Sequence, residues 1–357
     1  TIVAAMLKRL PRCPSKHVLF SFLLIVGALV CCLIPGVARA DTVTRVNNSD
    51  ELLNSVGGDV YITNPPSAAN GQYWDGGSWR NVSSIPKNGS STKIGTSVNL
   101  ENGWRLGWWG EKWGGNYAVW RDEAVNWSGR IFKGFKMRFN DIGYTKTGEH
   151  VDVIFDFTQI YVWRYEVKEL TWYTPFEITN NFGIQLAAEG EKPLNPGLTS
   201  TYTTRFVKRG TDQLIDASNE VDLLYWDIDQ PAPKTRDQDI NTIFNVKSYV
   251  GTTDYRESIW KINGYKEEAI TLKDAWLEIK ANEAGIPNAA FLSKISDGGN
   301  SGASVNHSVV VLKSGPEFVT QWRGWSCSTG MGFDTIVKVY PKWSDPVKDP
   351  PTQVKKR

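Results

Sequence analysis

Histidine and cysteine are the functional residues this chain has least of. It holds three histidines in 357 residues. Only His150 and His307 lie beyond the first forty, and neither has a partner at metal-ligand spacing, which argues against a zinc centre. Of four cysteines, Cys13, Cys31 and Cys32 fall within those forty positions and Cys327 alone lies downstream. A chain trimmed after residue 40 would have no intrachain disulfide, so its stability would rest on a large core or another covalent staple. Charge of one sign is also missing. Forty basic residues face 38 acidic ones, and they are dispersed, which speaks against nucleic acid or an anionic membrane as the main partner.

Catalytic signatures are missing as well. No G-x-S-x-G elbow supports a serine nucleophile. Glu220-Val221-Asp222 begins the E-x-D-x-x-E pattern of sandwich glucanases, but Tyr225 stands where the second glutamate belongs. Glycoside hydrolysis needs two carboxylates flanking the bond, so a non-enzymatic protein is expected.

One long apolar run exists, and it reads as an export signal. Lys8, Arg9, Arg12 and Lys16 precede the run Val18 to Ile34, and Ala38-Arg39-Ala40 gives a small-x-small cleavage site. A membrane anchor is the competing reading, but Pro35-Gly36 ahead of Ala-x-Ala favours cleavage after Ala40. Cys31 as a lipobox cysteine fits less well, because Leu29 stands at the wrong position. Removing Lys8, Arg9, Arg12, Lys16 and Arg39 takes the basic count from 40 to 35 against 38 acids. An extracellular, slightly acidic protein is expected, free of the membrane after cleavage, and the leader's length with the lack of disulfides points to a Gram-positive exporter.

Downstream the dominant period is two. Ile131 to Phe139 and Val151 to Trp163 alternate, as do the tracts 241–251 and 334–343. Gly-, Asn- and Pro-rich punctuation separates them. The fold class expected is all-β, an antiparallel β-sandwich with one short N-terminal helix. That helix is placed in "NNSDELLNSVGG", with Ser49 as N-cap, Asp50 and Glu51 in the first turn and Gly57 as a stop. "TLKDAWLEIKANEAG" is read as a strand, since Ala275, Leu277, Ile279 and Ala281 alternate. The organisation expected is a signal peptide over 1–40, a Trp-rich β region over 41–130, a β-sandwich over 131–342 and a Pro-rich linker over 343–357.

Tryptophan is the largest signal. Trp74, Trp79, Trp104, Trp108, Trp109, Trp113, Trp120 and Trp127 place half of the sixteen tryptophans between residues 74 and 127. Indole faces stack on the C–H faces of sugars and give much contact area at little entropic cost; large rings also fill the space between sheets. Adjacent Trp108 and Trp109 in a strand point to opposite faces, so one is exposed unless both faces are covered. Trp108, Trp109 and Trp113 are the candidate ligand-binding residues.

Two further clusters hold chemistry. Asp227, Asp229, Asp237 and Asp239 supply hard oxygen ligands for calcium. Counted from Asp237, however, Thr242 and Ser248 stand where an EF-hand needs Gly and Glu, and the alternative is a strand end with a solvated loop. No cofactor is expected other than calcium there. Cys327 is either a small apolar core residue or half of a thioester with Gln321 or Gln230.

Three pieces carry a family resemblance. Asn140-Asp141-Ile142-Gly143, Gly148 and Val151-Asp152-Val153 are similar to the "N-x-x-G-x-x-x-x-G-x-x-V-D-V" strand pair in the adhesive N-terminal regions of Gram-positive surface proteins of gut actinobacteria and clostridia. Tyr225-Trp226-Asp227-Ile228-Asp229-Gln230-Pro231 resembles their aromatic-x-D-I-D-Q element, and Asp345 to Thr352 resembles the junction to their stalk repeats. The resemblance covers roughly residues 130 to 352. It implies a cell-wall-associated adhesin or fimbrial protein with a β-sandwich head that binds a glycan or a host or extracellular protein, with stalk domains following in the full-length protein. The family's isopeptide chemistry would draw on Lys133 or Lys136 and on Asp152 or Asp156. The sequence carries no sorting motif, which departs from the pattern. A secreted carbohydrate-active enzyme or binding module and a purely structural fimbrial subunit are the alternatives.

Overall fold

The structure, a computed structural model, describes residues 42–90, 92–110, 115–121, 130–164, 173–180, 183–190, 197–228, 258–273, 275, 277–280, 290–293, 310–325 and 328–333. The expected leader and Pro-rich tail lie outside these residues, as do the tracts 241–251 and 334–343. Its elements are β1 (Thr42–Val46), helix α1 (Ser49–Asn54), β2 (Val60–Ile62), β3 (Gly71–Trp74), β4 (Trp79–Asn81), β5 (Ile94–Asn99), β6 (Arg105–Trp109), β7 (Asn116–Arg121), β8 (Arg130–Lys133), β9 (Lys136–Thr145) and β10 (His150–Arg164). There follow β11 (Tyr173–Thr179), β12 (Gly183–Gly190), β13 (Gly197–Lys208), β14 (Val221–Trp226), β15 (Ser258–Leu272), β16 (Leu277–Lys280), β17 (Ala290–Ser293), β18 (Val310–Trp325) and β19 (Ser328–Phe333). The chain is all-β, as its period-two patterning predicts.

Two curled layers share one strand. The first runs β4, β3, β9, β10, β13, β18, β15, with β2 beside β9 and β8 beside the far half of β10. The second runs β5, β6, β7, β11, β12, β19, β14. Strand β18 joins them: from Glu317 to Trp325 it pairs with β13, and from Val310 to Ser314 with β14. The switch falls at Gly315-Pro316, where proline has no N–H to give to a ladder. Among the described residues every pairing is antiparallel except β1 on β15.

The layers pack through rings. Phe155 and Phe157 of β10 reach Phe176 of β11, with centroids 6.3 and 5.3 Å apart, and Phe135 stacks on Phe157 at 4.5 Å. The Tyr202 and Tyr225 hydroxyls meet at 3.1 Å inside the core, so each buried phenol is satisfied. Aromatic pairs of this kind add about 0.5–1.5 kcal/mol each beyond the area they bury.

Local details sharpen the sequence reading. The N-cap of α1 is Asn48, one residue before the expected Ser49: its side-chain oxygen accepts the Glu51 N–H at 2.9 Å, and the Glu51 carboxylate accepts the Asn47 N–H at 2.9 Å. This reciprocal capping satisfies two donors at once and holds the Glu51 carboxyl below its ordinary range. The reading of "TLKDAWLEIK" as extended gains β16, with Ala275 buried just before it. Ladders cross the expected boundary at residue 130, since β2 and β3 pair with β9 and β7 pairs with β11.

Candidate ligand-binding face

The Trp-rich stretch is a hairpin built into the sandwich. Strands β6 and β7 pair from Arg105↔Trp120 to Trp109↔Asn116, so residues alternate between two faces. One face sends Leu106, Trp108, Tyr117 and Val119 into the main core. The other gathers Trp109, Ala118 and Trp120 with Ile94 of β5 into a second apolar cluster. Both faces are covered, and Trp108 at 8% and Trp109 at 6% exposure are core residues. The expectation that one of the pair presents its face to a ligand is therefore corrected, and Trp113 lies outside the described residues. Trp104 is fully buried; its indole N–H donates to the Lys133 carbonyl at 2.8 Å, and its ring meets Phe135 and Tyr173 edge to face.

Glycine interleaves with tryptophan here because indole needs space. Gly115 adopts φ +99, and a Cβ there would lie 2.2 Å from the Trp108 ring. Cations close the hairpin's outer parts: Lys87 Nζ sits 4.9 Å from the Trp108 centroid and Arg105 Cζ 4.8 Å from that of Trp120.

The other expected sites resolve in part. Asp227 follows β14 in a left-handed conformation at φ 64, while Asp229, Asp237 and Asp239 lie outside the described residues. Gln321 is buried on β18 and its amide donates to Thr201 at 3.1 Å; Cys327 and Gln230 are outside the described residues. Asp222 accepts the Gly57 N–H at 2.6 Å, and Tyr225 is a core residue. Of the isopeptide candidates, Asp156 faces Arg205 at 3.3 Å and Asp152 is enclosed by Arg138.

That enclosure explains the V-D-V motif physically. Asp152 is fully buried, and its Oδ2 accepts from Arg138 Nη2 at 2.7 Å, Arg138 Nε at 3.0 Å and the Gly210 N–H at 2.9 Å. Its Oδ1 accepts the Asp141 N–H at 2.6 Å. Asp141 sits at φ 49 in a bulge of β9 opposite Asp152, and such a bulge re-aims the strand that follows. Gly143 then lets β2 approach, since a Cβ there would stand 1.9 Å from the Tyr61 carbonyl oxygen. The clamp thus fixes the register that brings β2 beside β9.

The consequence lies on the outer face of this layer. Tyr61 of β2 is directly opposite Tyr144 of β9, which is opposite His150 of β10. Arg209 continues the row, its N–H donating to the His150 carbonyl at 2.9 Å. Ring centroids are 5.6 Å apart for Tyr61 and Tyr144 and 6.4 Å for Tyr144 and His150. Tyr61 is 46% and Tyr144 39% exposed, and with Ile131 they are the large exposed hydrophobics among the described residues. Ion pairs rim the row. The Asp141 carboxylate holds His150 Nδ1 at 2.6 Å and Arg209 at 3.1 Å, and Lys208 meets Glu149 at 3.0 Å. Lys146 pairs with Asp59, which keeps the ammonium above its ordinary range.

On the same face, beyond the clamp, Trp74 and Trp79 meet edge to face at 5.4 Å on the β3–β4 hairpin. Both are half-buried, and Arg138 Cζ lies 5.8 Å from the Trp79 centroid. Trp79 thus lies against the Arg138 end of the buried ion pair, whereas Tyr61 and Tyr144 stand exposed. Neither Tyr61 nor Tyr144 is singled out by the sequence pattern. The signal available was Tyr61 at the polar position of an otherwise apolar alternation, Val60-Tyr61-Ile62.

No protein-family model matches the chain, and no curated protein matches it. Among solved structures it is similar to the N-terminal domain of the Streptococcus gordonii adhesin Sgo0707, with 12% sequence identity and a TM-score of 0.45. That alignment covers 83% of this chain and 63% of the other.

Proposed function

We propose that the chain is an exported, surface-associated adhesin-type head, without enzymatic activity, that binds a glycan or an extracellular protein through the outer face of its first layer. The observation that carries the reading is the row Tyr61, Tyr144, His150 and Arg209, whose first three members offer aromatic rings to solvent on a surface pinned by a buried charge cluster. Exposed aromatic side chains grouped on a rigid sheet are favourable anchors, because they give contact area with few torsions to freeze. The leader ending at Ala40 and the V-D-V and D-I-D-Q resemblances support the extracellular and adhesive parts of the reading.

Retention of protein-coated beads under flow tests it, on surfaces bearing mucin, collagen, fibronectin or plant polysaccharide. Beads carrying the purified protein should be held on at least one surface, and beads carrying a folded Tyr61→Ala/Tyr144→Ala double variant should wash off. Equal retention of the two proteins, or none on any surface, would contradict the proposal. Release of reducing sugar from the polysaccharide would instead favour the carbohydrate-active alternative.

A further inference from the structure

We infer that the row Tyr61, Tyr144, His150, Arg209 is a subsite for a neutral oligosaccharide, laid across the strands rather than along them. The inference rests on the adhesin reading above and names its ligand class. Strands β2, β9 and β10 contribute Tyr61, Tyr144 and His150, and Arg209, the residue after β13, bonds the His150 carbonyl, so the row spans three inter-strand steps, about 14 Å. That is room for a short oligosaccharide. Centroid spacings of 5.6 and 6.4 Å give consecutive rings, each able to meet the C–H face of one pyranose. The interplanar angles of 42° and 50° turn successive rings, as successive sugars in a chain turn.

The rim supplies the rest of the chemistry. Sugar hydroxyls both donate and accept, so they are well matched by carboxylate and cation side by side. Such pairs flank the row, Asp59 with Lys146 beside the tyrosines and Asp141 with Arg209 beside His150. Hydrogen bonds to charged groups are the stronger kind. Charge decides against an acidic sugar. Each cation of the rim, Lys146, Lys208 and Arg209, already has a carboxylate, and His150 shares that of Asp141. A sialylated or sulfated ligand would have to displace one of those carboxylates or lie beside it.

A protein ligand fits this surface less well. Protein hot spots sit in desolvated pockets ringed by contacts of little energetic weight that exclude water, whereas Tyr61 and Tyr144 stand exposed among charged side chains. Ile131, the other large exposed apolar side chain among the described residues, pairs with Tyr161 of β10, eleven residues along that strand from His150, so no continuous apolar patch forms.

The test applies the full purified protein to a printed array of neutral, sialylated and sulfated oligosaccharides, with affinities then measured by calorimetry for the neutral probe bound best. Tyr144→Ala and Tyr61→Ala should each weaken that binding roughly tenfold or more, the scale of one lost stacking contact, while Tyr144→Phe keeps it. Each variant should retain the wild-type urea midpoint, which separates loss of binding from loss of folding. Binding confined to sialylated or sulfated probes, or unchanged affinity in a folded Tyr144→Ala protein, overturns the inference. An array with no bound probe also overturns it. In that case retention of beads on a protein-coated surface leaves the adhesin reading standing, and absence of both removes the two together.

Discussion

Replacing Asp152 by alanine should be among the most damaging single changes to this protein. The side chain is fully buried and accepts four hydrogen bonds, two from Arg138 and one each from the Asp141 and Gly210 amides. Removing it leaves a guanidinium 5% exposed without its main counter-ion. Breaking a buried pair by deleting one partner costs about 3–5 kcal/mol, and a buried N–H left without an acceptor about 1–3 kcal/mol. These terms are not additive among groups that share one carboxylate. Arg138 also keeps the Thr211 carbonyl at 2.7 Å and the exposed Asp212 at 3.2 Å, which lessens the loss. The expected cost is about 4 kcal/mol, read as a shift in urea midpoint by tryptophan fluorescence at constant m-value. Asp152→Asn should cost nearly as much, because its amide would point N–H groups at Arg138. The Arg138→Met/Asp152→Ala double variant should be less destabilised than the two single changes summed, since it leaves no uncompensated charge. A loss below about 1 kcal/mol for Asp152→Ala, or strict additivity in the double variant, would refute the clamp.

Three further outcomes are expected. Trp109→Ala should destabilise by about 3–5 kcal/mol, as large-to-small changes in a core do, and calorimetric unfolding would reveal it. Gly115→Ala should cost about 2–4 kcal/mol by combining a left-handed backbone with an overpacked Trp108 ring, whereas Gly76→Ala, with open space around it, should show only the backbone part. The Asp75 carboxyl is held well below the usual range, first by Arg80 and then by the Gly77 and Ser78 N–H groups. Its contribution to the β3–β4 turn is therefore present above the unfolded value near pH 3.9 and lost only as pH falls through the lower folded value. Amide exchange at Gly77 and Ser78 should stay protected down to about pH 4 in the wild type; Asp75→Asn should remove the pH dependence, and loosening already at about pH 5 would contradict the assignment.

The fold class was legible because period-two alternation runs through two long tracts of the sequence. Ile131 to Phe139 and Val151 to Trp163 fall within β8, β9 and β10, apart from the bulge at Gly134-Phe135. There a Cβ on residue 134 would stand 1.8 Å from the Phe157 carbonyl oxygen. Helix α1 was legible from its acidic first turn, and its cap was misplaced by one residue because Asn48 and Ser49 are both good caps. The fate of Trp108 and Trp109 was not legible. Alternation says they face opposite ways, but only the register of β5, β6 and β7 shows that Ile94, Ala118 and Trp120 await Trp109. The tyrosine row was missed for the same reason: Tyr61 and Tyr144 are 83 residues apart and meet because a bulge and a buried carboxylate set the register between them. Local pattern fixes which side chains point outward, and long-range pairing decides which of them become neighbours.

The most direct test follows tyrosine-selective ring resonances by NMR during titration with the neutral oligosaccharide that scores highest on the array. Of thirteen tyrosines, Tyr61 and Tyr144 should shift and broaden, while the buried rings of Tyr117, Tyr173, Tyr202 and Tyr225 stay fixed. Shifts that spare Tyr61 and Tyr144, or that spread evenly through the buried rings, would contradict the assignment of this face as the binding surface.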